Sequence, residues 1–334
     1  MLAPRPERVP PPVGAGMALL GEFSRPSGWG MGVRLVRSAL DGMGVATVAL
    51  DADVRAGALP PAGMPLLLHV NPPSLPLALL KQDRRLLRGR RVVGMWNWEL
   101  PVAPAAWRVG LRFVHEVWVS SHFTAAAMAG LLPADGRIPL RVVSYPLAVT
   151  PPIPAAMGRE AFGDRADRVL VLKVGHPDHF PADFEVLRGA VAGVGNIRLE
   201  TRAMAQGEVH ALTACADIVL SLHRSEGFGL VPAEAMLLGR PVVATGWSGN
   251  MDFMDADSTV LVPFRLVPAR DPRGVLEAPG AMWAEPDVGA AAEALRRLAD
   301  DPEARRALGA RGQAHARAAL GAESLAAAMA GLAA

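Results

Sequence analysis

Short apolar runs alternate with helix-length stretches along most of the chain, and this alternation predicts an α/β fold. The runs are rich in valine, leucine and isoleucine, as expected for strands buried in a parallel sheet. They lie at residues 17–20, 45–50, 66–70, 141–145, 169–174, 197–200, 217–222, 242–245 and 260–262, with two further strands beginning at Val92 and Glu116. From residue 288 onward the chain is rich in alanine, arginine and leucine at helical spacing.

The length of 334 residues suits two domains of roughly 150 residues each. A Pro-rich leader covers residues 1–16, and the Pro-rich stretch 150–154 predicts a stiff linker between domains. We therefore predict a first Rossmann-like domain over residues 17–150 and a second over 151–315. The last segment, residues 316–334, is predicted to be a helix.

The most informative stretch is residues 217–250, which predicts one strand, a polar loop, a helix and a second strand. Pro232 suits the first turn of that helix, while Gly239 and Pro241 end it. In a parallel sheet such a loop lies beyond the carboxyl end of its strand, which is the edge where ligands bind.

Two carboxylates flank the glycines of this loop, Glu226 and Glu234, with Gly227, Phe228 and Gly229 between them. Glycine lets a ligand approach the backbone, and a helix start offers unpaired N–H groups to phosphate or sugar oxygens. Acidic residues also favour a helix N-terminus for electrostatic reasons alone. The spacing by itself leaves both interpretations open.

The sequence from Glu226 to Glu234, Glu-Gly-Phe-Gly-Leu-Val-Pro-Ala-Glu, resembles the E-x7-E motif of bacterial retaining glycosyltransferases of family four. The similarity continues through residues 221–225 and 239–246, and through WNWELP at 96–101 and EVWVSSHF at 116–123. It implies a GT-B fold, with two Rossmann-like domains facing each other across a cleft. It also implies transfer of a hexose, with retention, from a nucleotide diphosphate sugar to a glycan or lipid-linked acceptor, without a metal or cofactor.

The resemblance implies a role for each residue on the donor side. Glu226 is expected to orient the donor sugar, Glu234 to bind the ribose, and the amides from Gly227 to Leu230 to hold sugar and phosphate oxygens. The same resemblance places the Gly-rich loop that follows the first strand, with Gly28 and Gly30, beside the donor diphosphate. Asn250, after the strand at 242–245, is a further donor-binding candidate, although it could equally cap a helix.

Acceptor-side candidates come from the first domain. The Trp98 ring could stack on a sugar, and Glu99 at a strand end could hold an acceptor hydroxyl. Trp98 could also be an ordinary core residue. His122 is a third candidate, which the start of a helix would explain as well. The resemblance further implies that the last helix crosses back onto the first domain.

One part of the family pattern is missing. Relatives begin the second domain with a strand, a loop bearing an Arg and a Lys that grip the diphosphate, and a helix. Here only residues 147–168 precede the strand at 169–174, so the second domain is expected to be one β-α unit shorter. Lys173 is the preferred substitute cation, with Arg159, Arg165 and Arg168 as others. The deficit keeps open a catalytically silent sugar-nucleotide-binding protein.

The Gly-rich loop also admits a nicotinamide-dinucleotide hypothesis, in which Asp51 would bind a ribose. The spacing of the glycines, G-x-G-x-G, fits that fingerprint poorly. Other short matches, to metal-binding motifs, are weaker evidence for a function. His176-Pro-Asp-His179 lacks further ligands at zinc-like spacing, and the two D-x-D stretches at 51–53 and 255–257 are short enough to arise by chance.

The amino-acid composition limits the classes of binding partner that we expect. The net charge is only +2, and the arginines are spread along the chain without a nucleic-acid-binding motif, so no nucleic-acid partner is expected. A basic amphipathic helix predicted at 75–91 could make weak peripheral membrane contact, or be a solvated face. The single cysteine, Cys215, and a leader without an apolar core predict a cytoplasmic protein that is membrane-associated at most.

Overall fold

The computed structural model describes residues 3–25, 27–147, 168–272 and 274–333. The linker predicted at 150–154 and the candidate cations Arg159 and Arg165 lie outside these residues. The α/β fold with parallel sheets that the sequence predicts is confirmed, and the chain forms a first lobe up to residue 147 and a second lobe from residue 168.

Within residues 3–147, apart from residue 26, six parallel strands form one sheet in the order β2-β1-β3-β4-β5-β6. Strands β1 and β3 to β5 are buried along their whole length, because helices or loops cover both faces. The strands are β1 Met17–Gly21, β2 Thr47–Asp51, β3 Leu66–His69, β4 Val92–Trp96, β5 Glu116–Val119 and β6 Leu140–Val142.

Three helices and a 3-10 segment connect these strands: α1 Gly28–Gly42, α2 Leu75–Lys81, the 3-10 segment Ala105–Phe113, and α3 His122–Ala129. Two serines cap the helices that face the second lobe. The Ser27 hydroxyl accepts from the N–H of Gly30 at 3.2 Å, and the Ser121 hydroxyl accepts from the N–H of Thr124 at 3.1 Å.

The helix predicted at 75–91 is wrong in length, because α2 ends at Lys81 and turns follow it. Asp83 starts a tight turn by accepting from the N–H of Arg85 at 2.8 Å. The Arg90 side chain is buried and donates to the carbonyl of Met64 at 2.9 Å. The basic residues of this segment therefore do not share one helical face.

The second lobe carries three smaller sheets within residues 168–272 and 274–333. These are the parallel pair β7-β8, the parallel trio β11-β10-β9 and the antiparallel hairpin β12-β13, which the sequence did not predict. The strands are β7 Leu170–Lys173, β8 Ile197–Glu200, β9 Val219–Ser221, β10 Val242–Thr245, β11 Val260–Val262, β12 Phe264–Pro268 and β13 Met282–Pro286. The helices are α4 Pro181–Val191, α5 Gln206–Cys215, α6 Leu230–Leu237, α7 Val288–Asp300, α8 Pro302–Ala319 and α9 Glu323–Ala333.

The parallel strands of the second lobe fall into two separate sheets, with a break between β7 and β9. The predicted absence of one β-α unit stays a prediction, because the residues before β7 where it would lie are outside the described part of the chain. Among the described residues, β7 pairs only with β8, and β9 pairs only with β10. Helix α4, which connects β7 and β8, has no buried residue, and Leu170 on β7 is exposed. The unit from β7 to β8 therefore contributes little to the core.

The two lobes share apolar packing. Phe228 and Phe253 of the second lobe lie in one buried cluster with Met17 and Leu19 of β1. Helix α9 joins the same cluster, and its Gly331 lies beside the Arg141 guanidinium of β6. The hairpin connection also packs on the first lobe, where Ala281 joins a buried cluster whose other members all lie between Ala18 and Leu131.

We predict that the backbone amides of β7 and β8 exchange with solvent hydrogen faster than those of β10. The β7-β8 pair lacks buried packing on α4, whereas all four residues of β10 are buried, and amide protection follows local opening. Hydrogen exchange monitored by mass spectrometry measures this directly. Equal protection of β8 and β10 would contradict the prediction.

Candidate functional site

The loop from β9 to α6 lies where the two lobes meet, beyond the carboxyl end of β9. Helix α6 begins at Leu230 after Gly229, which adopts φ +100, a left-handed conformation that favours glycine. Residues Pro232 to Leu237 are all buried, so the helix is anchored on every side. At its start, the N–H groups of Leu230 and Val231 have no acceptor within the helix, Pro232 has no N–H, and the N–H of Ala233 donates to the Gly229 carbonyl at 3.1 Å.

Glu226 is held by its backbone and not by its side chain. Its N–H donates to the Ser248 hydroxyl at 2.8 Å, and its carbonyl accepts from the N–H of Gly249 at 2.9 Å. No hydrogen bond to its carboxylate occurs among the described residues, and burial raises the pKa of Glu226. A half-buried carboxylate without a partner is ready to accept hydrogen bonds from a ligand's hydroxyl groups.

Glu234 is placed differently, since its side chain is buried between α6 and α5. Its Oε1 lies 3.2 Å from Nε2 of His210 and 3.3 Å from Nε2 of Gln206. The structure therefore puts the two glutamates in different surroundings. The predicted ribose contact of Glu234 stays a prediction, and its carboxylate already shares hydrogen bonds with α5.

The glycines and the phenylalanine of the motif fix the loop against the first lobe. The Gly227 carbonyl accepts from the Ser121 hydroxyl at 2.6 Å and from the Thr124 hydroxyl at 3.2 Å. The Phe228 ring is buried and meets the Tyr145 ring edge-on, with 5.3 Å between centroids. These residues therefore position the loop, while the amides beyond them stay available.

Of the two glycines predicted in the first lobe, one lies beside the motif. A Cβ on Gly28 would lie 3.9 Å from Cδ1 of Leu230, so the start of α1 faces the start of α6. A Cβ on Gly30 would lie 2.2 Å from the carbonyl oxygen of Arg25. Gly30 is thus required by its own loop, which is a structural role.

Asn250 is buried below the loop and does not reach its surface. Its Nδ2 donates to the carbonyl of Thr245 at 3.1 Å, and its Oδ1 lies 3.0 Å from Nε2 of His223. In the same turn Ser248 has φ 81 and ψ −151, a conformation that costs a non-glycine residue about 1–3 kcal/mol. Sequence reasoning predicted a donor contact for Asn250, whereas the structure gives it a bracing position.

Trp98 lies in the core, which is the ordinary alternative that the sequence left open, and its predicted stacking on an acceptor sugar stays a prediction. Its Nε1 donates to the carbonyl of Val102 at 2.8 Å, and the ring packs edge-on against Trp107. Glu99 is exposed beside it. The Trp98 carbonyl also accepts from the Thr124 hydroxyl at 3.2 Å, which ties this loop to the Gly227 contact.

His122 begins α3 and bridges the two lobes. Its N–H donates to Oδ2 of Asp252 at 2.8 Å, and its Nδ1 lies 3.0 Å from the same oxygen. The His122 side chain is otherwise 82% exposed. An exposed imidazole at the junction is compatible with the predicted acceptor contact, which stays a prediction.

Lys173 stands apart from the motif, because it lies on the separate β7-β8 pair. Its Nζ donates to the carbonyl of Val174 at 3.0 Å, and no hydrogen bond or ion pair joins it to residues 223–234 in the described chain. Arg168 forms an ion pair with Asp300. The structure therefore brings neither of these predicted cations to Glu226.

A buried polar network under the site was missed by sequence reasoning. The Tyr145 hydroxyl lies 2.7 Å from Nε2 of His69 and 2.5 Å from Nδ2 of Asn97, while Oδ1 of Asn97 accepts from the Ser120 hydroxyl at 2.6 Å. Because Asn97 donates to Tyr145, the Tyr145 proton goes to Nε2 of His69. The His69 proton is then on Nδ1, which is buried without a partner among the described residues.

The sequence signal for this network was weak. His69 closes an otherwise apolar strand, and Asn97 lies between two tryptophans. Burial lowers the pKa of His69 to about 4, so the imidazole is neutral at physiological pH, and burial also raises the pKa of Tyr145. Neutral groups joined by hydrogen bonds in this way rigidify the buried region against which Phe228 packs.

We predict that acidification from pH 6.5 to 4 lowers the free energy of unfolding partly through His69. In this range the unfolded chain binds a proton at this residue and the folded chain does not, so the contribution is lost as the pH falls. Replacing His69 by Gln should flatten this dependence by up to about 3 kcal/mol. Denaturant unfolding at several pH values measures it, with exposed His179→Gln as the control.

No cluster of three or more potential metal ligands occurs among residues 3–25, 27–147, 168–272 and 274–333. His176 and His179 stack face to face, with 4.9 Å between ring centroids. In the same described ranges, no helix combines the length and hydropathy needed to cross a lipid bilayer.

The sequence was compared with those of known protein families and curated proteins. Residues 160–301 fit the profile of the family described as Glycosyl transferases group 1. A trehalose synthase from Rubrobacter xylanophilus is 33% identical over 108 residues, which is 32% of this chain and 20% of that protein. The matched region thus spans about a fifth of this relative.

Solved structures extend the likeness to both lobes. A sucrose-phosphate synthase from Thermosynechococcus elongatus aligns with a TM-score of 0.64 and 18% identity over 96% of this chain and 98% of its own. HepE from Anabaena, in complex with UDP and glucose, aligns with a TM-score of 0.62 and 13% identity over 95% and 99%. The chain has the GT-B fold of these solved structures.

Proposed function

We propose that the protein is a retaining family-four glycosyltransferase that moves a hexose from a nucleotide diphosphate sugar to a glycan or lipid-linked acceptor. The observation that carries this proposal is Glu226. Its carboxylate is half buried and has no partner in the described chain, and it lies just before the start of α6, where the N–H groups of Leu230 and Val231 have no acceptor within the helix. A sugar ring beside that carboxylate would have its phosphate near those N–H groups.

The reaction breaks the bond between the sugar C1 and the phosphate oxygen and forms a bond from C1 to the acceptor oxygen. In the proposed course, the departing phosphate takes the proton of the acceptor hydroxyl on the same face, so no separate protein base is assigned. Glu226 binds hydroxyls of the donor sugar and holds C1 next to the acceptor oxygen, on the same face from which the phosphate leaves. Glu234 is proposed to hold the ribose from below, together with α5.

Few groups of the described chain could stabilise the negative charge of the leaving diphosphate. The N-terminal N–H groups of α6 supply hydrogen bonds, and the α1 start near Gly28 adds a second positive helix end. Lys173 is proposed as the phosphate cation on the grounds of sequence alone, since it makes no contact with the motif. A protein that binds the nucleotide sugar without turnover is therefore the second candidate function.

A donor screen with Glu226 variants tests the proposal. UDP-glucose and GDP-mannose are incubated with the protein, and release of UDP or GDP is measured alongside binding by calorimetry. Glu226→Gln keeps the size but removes the charge, and we expect turnover to fall at least about 100-fold, the effect of removing one well-placed transition-state contact. Exposed Glu293→Gln on α7 is the matched control and should keep full activity.

The outcomes separate the candidate functions. Binding of a nucleotide sugar without release of nucleotide would favour the silent binder. Binding of NAD with no response to nucleotide sugars would favour the dinucleotide hypothesis and refute both sugar-nucleotide proposals. Equal turnover by wild type and Glu226→Gln would refute the assigned role of Glu226.

We also propose a weak contact with a membrane, and the exposed side chains of α2 support it. Leu77 and Leu80 on this helix are 61% and 42% exposed, next to Lys81 and the basic turn. Lys81 and Arg85 are partly neutralised by Asp53 and Asp83, which keeps the attraction small. We propose that this edge touches anionic lipid when a lipid-linked acceptor is bound.

Vesicle sedimentation measures this contact. The double variant Leu77→Ser, Leu80→Ser should bind vesicles containing phosphatidylglycerol several-fold more weakly than wild type, because exposed leucines supply the apolar term. Val186→Ser on α4, where the side chain is 75% exposed, is the matched control and should not change binding. Equal binding by the double variant would remove the proposal.

A further inference from the structure

We propose that His223 is a positioning residue for Glu226, acting through the turn Trp247 to Asn250. The inference rests on the proposed function, since it concerns how the donor-binding carboxylate is aimed. His223 lies three residues before Glu226 in the same loop, and its side chain forms hydrogen bonds with the neighbouring turn.

The hydrogen bonds of His223 define its tautomer. Nε2 lies 3.1 Å from the carbonyl oxygen of Trp247 and 3.0 Å from Oδ1 of Asn250. Both of these oxygens accept, because the Asn250 amide is oriented by its Nδ2 donating to Thr245. Nε2 therefore carries the proton, and Nδ1 accepts from the Ser221 hydroxyl at 3.0 Å. One imidazole thus holds the first and the last residue of the turn.

The turn itself is strained and tightly packed. Ser248 adopts a conformation that otherwise suits glycine, and its hydroxyl accepts from the N–H of Glu226 at 2.8 Å. A Cβ on Gly249 would lie 2.2 Å from the carbonyl oxygen of Gly227, so no side chain fits between turn and motif loop. A shift of the turn would therefore move the Glu226 backbone.

The Glu226 side chain has no partner of its own among the described residues, so its direction depends on its backbone. Two bonds from the turn fix that backbone, through Ser248 and Gly249. Upstream, the Arg224 carbonyl accepts from the N–H of Ala284 in β13 at 2.8 Å and holds the start of the loop. His223 is the side chain that braces the turn from inside the loop. A functional carboxylate held this way is sensitive to small losses of support.

A positioning role and a purely structural role predict different binding results. If His223 aims only Glu226, its loss weakens contact with the sugar and spares the diphosphate, which the proposed function places at the N–H groups of α6. If His223 merely stabilises the whole motif, its loss weakens both. The ratio of affinities for UDP-glucose and UDP separates these cases.

The experiment compares His223→Leu and His223→Gln by calorimetry with UDP-glucose and with UDP. We expect His223→Leu to weaken UDP-glucose binding about tenfold or more and to leave UDP binding within about twofold, since a tenfold change corresponds to one lost polar interaction. His223→Gln keeps an N–H donor and should restore most of the affinity. His179→Leu, at an exposed histidine, is the control.

A second pair of variants guards against loss of folding. Ser248→Gly removes the backbone strain and the hydroxyl together, whereas Ser248→Ala removes only the hydroxyl. We expect Ser248→Gly to melt at or above the wild-type temperature, Ser248→Ala to melt below it, and both to share the weakened UDP-glucose binding of His223→Leu. Ser248→Gly would then be a stably folded variant in which Glu226 is misdirected.

The inference is overturned if His223→Leu binds UDP-glucose as wild type does, or if it loses UDP and UDP-glucose affinity equally. Wild-type-like UDP-glucose binding by Ser248→Gly would also overturn it. Each of these results leaves the proposed function intact, because wild type still binds UDP-glucose. Failure of the wild-type protein to bind either compound would instead remove the proposed donor function, and this inference with it.

Discussion

The carbonyl of Gly227 is the point on which the rest of the site depends. It accepts hydroxyl hydrogen bonds from Ser121 and Thr124, which begin α3 in the first lobe, while Gly227 itself belongs to the second lobe. A motif loop without this contact would be an exposed connection with unsatisfied backbone groups. Phe228, buried beside Tyr145, adds apolar packing at the same place. The loop is therefore ordered by the opposite lobe.

This arrangement explains why the two glutamates of the motif differ. Glu226 lies upstream of the buried Phe228, where the loop faces the cleft, and its carboxylate is unpaired among the described residues. Glu234 lies inside α6, a helix buried on all sides, so its charge is met by hydrogen bonds from His210 and Gln206. The two glutamates have the same side chain but different surroundings, and burial and hydrogen-bond partners determine what a carboxylate can do.

The second lobe is stabilised partly from outside its own sheets. With β7-β8 separated from β9, its larger parallel sheet has three strands in the described chain, the minimum for independent stability. Helix α9 packs on the first lobe, and the β12-β13 hairpin places Ala281 in the core of that lobe. The two lobes are thus held together by shared burial of apolar side chains.

The sequence determined the α/β class, most of the strands and the motif loop, because apolar runs, glycines and prolines act locally. It also predicted that a β-α unit is missing before β7, which stays a prediction. Tertiary structure alone decided that Trp98 and Asn250 are buried, that Lys173 lies away from the motif, and that His223 and His69 support the site. Those outcomes depend on contacts between residues far apart in the chain, and local pattern contains no information about which distant side chain will meet them.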